Sequence, residues 1–156
     1  MSAVIESGTD GLMPMRPEDL NDVMVIETAV YPHPWTQGIF ADCIKVGYSC
    51  WVYRRQAELH GYCVMAPGPG EAHILTLCVH PDHQRQGIAR MIMDFMLRLA
   101  QKRQAQTMFL EVRPSNIAAI ELYRSMGFID AGRRPNYYPD ESNTREDALI
   151  MTRALD

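Results

Sequence analysis

The sequence has 156 residues, a length that favours one compact domain over residues 1–156, with a flexible N-terminal tail over residues 1–11. Its hydrophobic content of 47% is sufficient for a buried core. The 15 basic and 19 acidic residues leave a net charge of -4, which argues against nucleic-acid binding as the main activity because no basic surplus exists to neutralise phosphates.

The cysteines and the apolar runs indicate the compartment. The four cysteines show no C-x-x-C spacing, so buried reduced thiols are expected. No basic-then-apolar signal opens the sequence, and no apolar run approaches membrane-spanning length. We therefore expect a soluble cytoplasmic protein with no membrane partner.

The first half of the chain is predicted to contain two helices and four strands. A short strand at 13–16 precedes a helix that begins near Pro17, where proline and acidic residues favour a first turn. Two prolines at 32 and 34 end that helix, and Thr36 can cap a second helix that runs to about residue 46. Strands follow at 49–54 and 59–66 around a polar turn, and another at 71–79.

The second half alternates between helices and strands. An apolar stripe at helical spacing predicts a helix over 88–101, followed by a strand at 108–113 and a helix over 116–126 that Gly127 stops. Strands at 128–131 and 148–152 complete the chain. This order predicts an α/β (α+β) fold, a mixed sheet with helices on its faces.

The segment "VHPDHQRQGIAR" at 79–90 has the features of an anion-binding turn between a strand and a helix. The start of a helix presents unpaired N–H groups and the positive end of a dipole, which attract phosphate. Gly87 and Ala89 allow close approach, and Arg85 and Arg90 add charge. The alternative is a glycine that only permits a tight turn, and the pattern alone leaves both interpretations open.

The segment "FLEVRPSNIAAIELYRSMGF" at 109–128 contains three candidate polar residues. Glu111 lies in an apolar strand, where a carboxylate is costly unless it is paired or used, and an ion pair with Arg113 is the structural alternative. Asn116 and Tyr123 are seven residues apart and fall within about 20° on one helix face. For Tyr123 the alternative is an ordinary core aromatic residue.

The histidines give a weak metal motif. His80 and His83 have H-x-x-H spacing and His73 lies upstream, but no cysteine or acidic ligand completes a set at a familiar spacing. We therefore predict no metal site.

The turn "QRQGIA" after "LTLCVHPDH" resembles the Q/R-x-x-G-x-G/A motif of the GNAT superfamily of N-acetyltransferases. The resemblance implies that the turn binds the pyrophosphate of acetyl-coenzyme A and that the preceding strand splays to pair with its pantetheine arm. It also implies about six to seven mostly antiparallel strands, a central parallel pair and about four helices. The coenzyme-binding residues implied are Leu77, Cys78, Val79, Arg85, Gln86, Gly87, Ile88, Ala89, Arg90 and Asn116.

Three further segments are similar to the bacterial ribosomal-protein-alanine N-acetyltransferases within that superfamily: "LEVRPSNIAAIELYRSMGF", "RRPNYYPDESNTREDALIM" and Pro34-Trp35. This similarity implies that Glu111 is the catalytic base and Tyr123 the catalytic acid, and that Trp35 and Tyr138 flank the acceptor peptide. The acceptor implied is the basic N-terminus of a small-subunit ribosomal protein that starts with alanine. A lysine or small-amine acetyltransferase and a non-catalytic acyl-coenzyme A-binding module remain alternatives.

Overall fold

The computed structural model describes residues 10–139 and 145–156, and its contacts divide the chain into two compact units. Of the described residues, those up to Met65 and Thr76–Asp94 form one unit, and those in Ala66–Leu75 and from Phe95 onwards form the other. Most of the predicted N-terminal tail, residues 1–9, lies outside the described residues. The assignment of one domain to the whole chain stays a prediction.

In the part of the chain that the structure describes, seven strands form one mixed sheet in the order β1-β2-β3-β4-β5-β7-β6. They are β1 Gly11–Pro14, β2 Ser49–Arg55, β3 Glu58–Gly68, β4 Glu71–Val79, β5 Thr107–Val112, β6 Ile129–Pro139 and β7 Arg145–Ala154. β4 and β5 pair in parallel, whereas β1–β2, β2–β3, β5–β7 and β6–β7 pair antiparallel. The mixed sheet with a central parallel pair is therefore confirmed.

The described residues contain four α-helices: α1 Leu20–Val30, α2 Gln37–Lys45, α3 Ile88–Lys102 and α4 Ile117–Ser125. Short 3-10 helices at Pro17–Asp19 and Pro81–His83 precede α1 and α3. The predicted cap of α2 is confirmed, because the Thr36 hydroxyl oxygen accepts a hydrogen bond of 3.2 Å from the Ile39 N–H. None of the described helices is long and apolar enough to span a membrane.

The core of the first unit packs one face of α1 and α2 against the central strands. Val23, Ile26, Phe40 and Tyr62 are each at most 1% exposed. Burial of a large apolar side chain contributes about 1.5–3 kcal/mol, so this cluster holds the segment between α1 and α2 against the sheet.

The core of the second unit follows the alternation of β5. Met108, Leu110 and Val112 are buried on one face, while Phe109 and Glu111 are only partly covered on the other. β7 pairs with the whole of β5, from Thr107 opposite Ala154 to Val112 opposite Leu149. The face predicted from the two-residue period is therefore confirmed, and it places Glu111 away from the core.

The strand boundaries at the C-terminal end differ from the prediction. β6 was expected to end at Ala131, but it continues to Pro139, and β7 spans 145–154 instead of 148–152. β6 lies at the end of the strand order and is exposed along most of its length, so it carries no alternation of apolar and polar residues. β6 is a strand because its backbone pairs with β7, and this pairing cannot be predicted from the local sequence. The predicted first strand also lies two residues earlier, at Gly11–Pro14.

Candidate functional site

The predicted coenzyme turn, residues 84–90, lies in the first unit and is mostly exposed. Arg85 and Gly87 both have left-handed backbone angles, with φ of 65° and 81°. A Cβ added to Gly87 would meet nothing within 4 Å, so the protein itself leaves the space above this residue open. The Gly87 carbonyl accepts the first backbone bond of α3, from the Met91 N–H at 3.0 Å. The turn therefore presents a helix start to open space, as an anion site requires.

The strand before the turn, which is expected to contact the pantetheine arm, pairs with β5 over only part of its length. The parallel register of β4 with β5 covers Glu71–Ile74 and ends there, although β4 continues to Val79. Leu77 is partly covered, and Cys78 and Val79 are buried. Burial raises the pKa of the Cys78 thiol to about 11, so it is a poor nucleophile at neutral pH.

The predicted base, Glu111, forms an ion pair. Its Oε2 accepts a hydrogen bond of 2.7 Å from Nε of Arg134, and the carboxylate side chain is 27% exposed. The pair with Arg113, considered from the sequence, is not the one formed. Arg113 instead contacts Glu146 at 3.3 Å and donates to the Pro139 carbonyl at 2.8 Å. Glu111 therefore has a cationic partner that sequence spacing did not identify.

The predicted acid, Tyr123, lies on α4, and the predicted coenzyme contact, Asn116, is the residue before that helix; both are in the same unit as Glu111. Tyr123 is 8% exposed and contacts the ring of Phe128 edge-on at 5.9 Å. Asn116 lies just before the helix and caps it, because its Oδ1 accepts a hydrogen bond of 3.2 Å from the Ala119 N–H. The cap leaves the side-chain NH2 of Asn116 available as a donor.

Trp35, expected beside the acceptor peptide, lies in the first unit between α1 and α2. Its ring packs on Phe40 at 5.1 Å, and its backbone N–H donates to the Glu27 carboxylate at 2.9 Å. Glu27 is 3% exposed and also accepts a hydrogen bond of 2.5 Å from the Tyr62 hydroxyl. Burial raises the pKa of Tyr62, and the neighbouring Cys78 and Glu27 raise it further, so the hydroxyl remains a donor.

Glu27 is a buried residue whose contacts with Trp35 and Tyr62 sequence reasoning missed. Its signal was present, since it continues the apolar spacing of α1 at a position where a carboxylate is costly without partners. The two hydrogen bonds remove that cost and fix the backbone at Trp35, so Glu27 shapes the segment predicted to flank the acceptor.

Tyr138, the other residue expected beside the acceptor, lies in the second unit near Glu111. The Arg113 guanidinium lies 4.5 Å from the centroid of its ring, and the ring of Tyr137 contacts it at 4.9 Å. Burial raises the pKa of Tyr138, and the negative charge of Glu111 adds to that effect. Tyr137 is 41% exposed, so this pair presents an aromatic surface to solvent next to the predicted base.

The histidines form a cluster with a glutamate from β3. Oε1 of Glu58 lies 3.1 Å from Nε2 of His60 and 3.4 Å from Nε2 of His83. The two imidazole rings stack with centroids 3.6 Å apart and planes 11° apart, and one ligand atom from each of Glu58, His60 and His83 lies within 4.8 Å of the others. The hydrogen bond from His60 and the charge of His83 lower the pKa of Glu58, and the predicted absence of a metal stays a prediction.

Comparisons with known proteins place these observations in context. A model of the acetyltransferase (GNAT) family matches residues 18–128. The [ribosomal protein bS18]-alanine N-acetyltransferase of Escherichia coli K12 is 36% identical over 133 residues, which cover 85% of this chain and 89% of that protein.

Solved structures give the same relationship. The crystal structure of the ribosomal-protein-S18-alanine N-acetyltransferase from Escherichia coli superposes with a TM-score of 0.86 at 33% identity and covers 93% of both chains. Ard1 from Thermoplasma volcanium superposes with a TM-score of 0.84 at 26% identity, over 95% of this chain and 99% of that chain.

Proposed function

Because this chain belongs to the acetyltransferase (GNAT) family, we propose that it acetylates the α-amine of an N-terminal alanine on a ribosomal protein. The observation that carries the acceptor assignment is the likeness to the bS18-alanine N-acetyltransferase of Escherichia coli over 85% of this chain. The acceptor by that likeness is ribosomal protein bS18, and the reaction belongs in the cytoplasm with it. No metal takes part in this proposal.

The residues of the turn fit the coenzyme. Acetyl-coenzyme A, when bound, supplies the thioester whose carbonyl carbon the amine attacks. The open space above Gly87 admits a pyrophosphate to the backbone N–H groups, and the Arg85 side chain adds a charge. The segment of β4 beyond Ile74, where the β5 register ends, has backbone groups for the pantetheine arm. Leu77, Cys78 and Val79 would make those contacts.

Glu111 and Tyr123 are assigned to the proton transfers. An α-amine with a pKa of about 7.7–8.0 is roughly one-tenth neutral at pH 7, so a single carboxylate is a sufficient base. A lysine amine is neutral only about 0.04% of the time at that pH, so its deprotonation costs about 3–4 kcal/mol more than that of an α-amine. Tyr123 holds a proton that it can give to the leaving sulfur, and Cys78 is not required as a nucleophile.

The test offers acetyl-coenzyme A and the enzyme with two peptides. One peptide begins with a free alanine amine, and the other has a blocked N-terminus and a free lysine. We expect a mass gain of one acetyl group on the first peptide alone. A gain confined to the blocked peptide would replace this proposal with lysine acetylation. Coenzyme binding without a gain on either peptide would indicate a binding module.

A further inference from the structure

The Glu111 carboxylate is engaged through one oxygen. Nε of Arg134 donates to Oε2 at 2.7 Å, and among the described residues Oε1 accepts no hydrogen bond. A general base needs one oxygen directed at the proton it removes and a carboxylate plane that does not rotate. The contact with Arg134 holds the carboxylate plane in place. It leaves Oε1 to accept the proton.

Arg134 is itself held on its other side by an aromatic ring. Its guanidinium carbon lies 4.8 Å from the centroid of the Tyr137 ring, and that ring meets Tyr138 edge-on at 4.9 Å. Arg113 lies over Tyr138 at 4.5 Å and is anchored by Glu146. Arginine guanidinium groups stack well on aromatic faces, so the sequence of contacts from Glu111 to Glu146 is continuous.

The backbone next to Arg134 directs these side chains. The register of β6 with β7 pairs Arg134 with Ala148 and next pairs Tyr138 with Glu146, so three residues of β6 bulge opposite one residue of β7. Within the bulge Asn136 has φ of 53°, and its N–H donates to the Asp147 carboxylate at 3.0 Å. Bulges of this kind redirect side chains and occur often beside active sites.

Stability does not account for the Arg134–Glu111 pair. The Arg134 side chain is 56% exposed, and ion pairs of exposed side chains typically contribute about 0–1 kcal/mol. Its neighbour Arg133 is 57% exposed and pairs with Asp147 at 3.6 Å, without contact to Glu111. Two adjacent arginines therefore have equal exposure, but only Arg134 contacts the proposed base.

We infer that Arg134 is a positioning residue that orients the Glu111 carboxylate and couples it to the aromatic surface of Tyr137 and Tyr138; this inference rests on the proposed function. The acceptor ammonium gives a proton to Oε1 of Glu111. The amine nitrogen then forms its bond to the acetyl carbon as the carbon–sulfur bond breaks, and the departing thiolate takes the proton of Tyr123. The nitrogen of the new amide gives its surplus proton back to the Tyr123 oxygen, so Tyr123 ends neutral and Glu111 holds the proton removed from the ammonium. Arg134 takes no proton, and it fixes Oε2 throughout.

The experiment measures kcat and KM for the alanine-starting peptide at saturating acetyl-coenzyme A, in the wild-type protein and in Arg134→Ala, Arg134→Lys and Arg133→Ala. We expect Arg134→Ala to lower kcat about tenfold or more, because misorientation of a base by a fraction of an ångström is costly. Arg134→Lys keeps the charge but lacks the planar guanidinium, so its kcat should lie between those of the wild type and Arg134→Ala. Arg133→Ala should stay within about twofold of wild type, because the exposed Arg133 pairs with Asp147 and not with Glu111.

Guanidinium ion added to Arg134→Ala should restore part of the lost kcat, since it can occupy the vacated position beside Oε2. Guanidinium would not repair a general loss of folding, so rescue separates positioning from structure. The inference is overturned by a kcat of Arg134→Ala within about twofold of wild type, by an equal loss in Arg133→Ala, or by a loss without rescue. A wild-type protein that does not acetylate the peptide would instead overturn the proposed function.

Discussion

At the scale of single residues, Glu111 and Tyr123 reach their positions for different reasons. Glu111 lies on the uncovered face of β5 because the opposite face supplies the core, and its charge is balanced by Arg134. Tyr123 is buried and meets the ring of Phe128 edge-on, a position that fits either a core residue or a proton donor. A substitution that removes only the hydroxyl distinguishes these two roles.

Tyr123→Phe should lower kcat by about 100-fold, the usual range for the loss of a general acid, while the Kd for acetyl-coenzyme A changes by less than about twofold. Glu111→Gln should lower kcat similarly and flatten the acid limb of the pH–rate profile. Steady-state kinetics measure kcat and its dependence on pH, and calorimetric titration measures the Kd for acetyl-coenzyme A. Glu121→Gln, on the exposed face of α4, is the matched control and should behave as wild type. Near-normal kcat in Tyr123→Phe and Glu111→Gln would remove both assignments.

At the scale of elements, the turn into α3 carries the coenzyme prediction, and the chain offers a matched control for it. Gly87 and Gly47 have φ of 81° and 87°, and an added Cβ meets nothing within 4 Å at either position. Both substitutions to valine therefore introduce the same backbone strain, about 1–3 kcal/mol, without a steric clash in the protein.

Gly87→Val should raise the Kd for acetyl-coenzyme A at least about tenfold, because the side chain occupies the space from which a pyrophosphate reaches the backbone N–H groups. Gly47→Val should leave that Kd unchanged. It should lower the melting temperature by about as much as Gly87→Val does, because the backbone strain is the same. Isothermal titration calorimetry and thermal unfolding measure the two effects. Equal Kd values in both variants would show that the turn does not bind the coenzyme.

Glu146 joins β7 to the start of α4. Its carboxylate accepts hydrogen bonds from the Ser115 N–H at 2.8 Å and the Ser115 hydroxyl at 3.0 Å, and it contacts Arg113 at 3.3 Å. Desolvation opposes the charge, but the bonds from Ser115 and Arg113 outweigh it and lower the pKa of Glu146. A lowered folded pKa stabilises the protein above the ordinary carboxyl pKa of about 4.3, and this stabilisation is lost as the pH falls through the folded value.

Glu146→Gln should therefore lower the free energy of unfolding by about 1–2 kcal/mol at pH 7, and the difference from wild type should shrink below about pH 4. Urea unfolding of both proteins between pH 7 and pH 3.5 measures this trend. Glu121→Gln again serves as the control, with little effect at any pH. A difference that stays constant across this range would indicate that the charge of Glu146 contributes nothing.

At the scale of the whole molecule, the coenzyme should act as a stabilising ligand. A ligand that binds only the folded protein adds about 2.7 kcal/mol when its concentration is 100 times Kd. For a chain of this size that gain corresponds to a rise in melting temperature of about 5–10 °C. Scanning calorimetry with acetyl-coenzyme A measures the rise, and adenosine monophosphate, which lacks the pyrophosphate and the pantetheine arm, is the control. An equal rise with both ligands would contradict binding through the turn.

The sequence by itself determined the features that depend on neighbours along the chain. Thr36 caps α2 because its hydroxyl reaches the N–H three residues later, and β5 exposes Glu111 because side chains alternate along a strand. The turn at 84–90 follows from a glycine with positive φ at a helix start. The GNAT fold and its parallel pair were likewise predicted correctly, because the motifs of that family are contiguous in the chain.

Only the tertiary structure decided which partners the charged side chains take. Glu111 pairs with Arg134, 23 positions away, and not with Arg113, two positions away on its own strand. Glu27 accepts a hydrogen bond from Tyr62, 35 positions away, and His83 contacts Glu58 on β3. The length of β6 was also decided there, since an exposed edge strand pairs through its backbone and needs no apolar period. The spacing of residues along the chain predicts the face of a helix or strand on which a side chain lies. Contacts between distant segments depend instead on how the strands are ordered in the sheet.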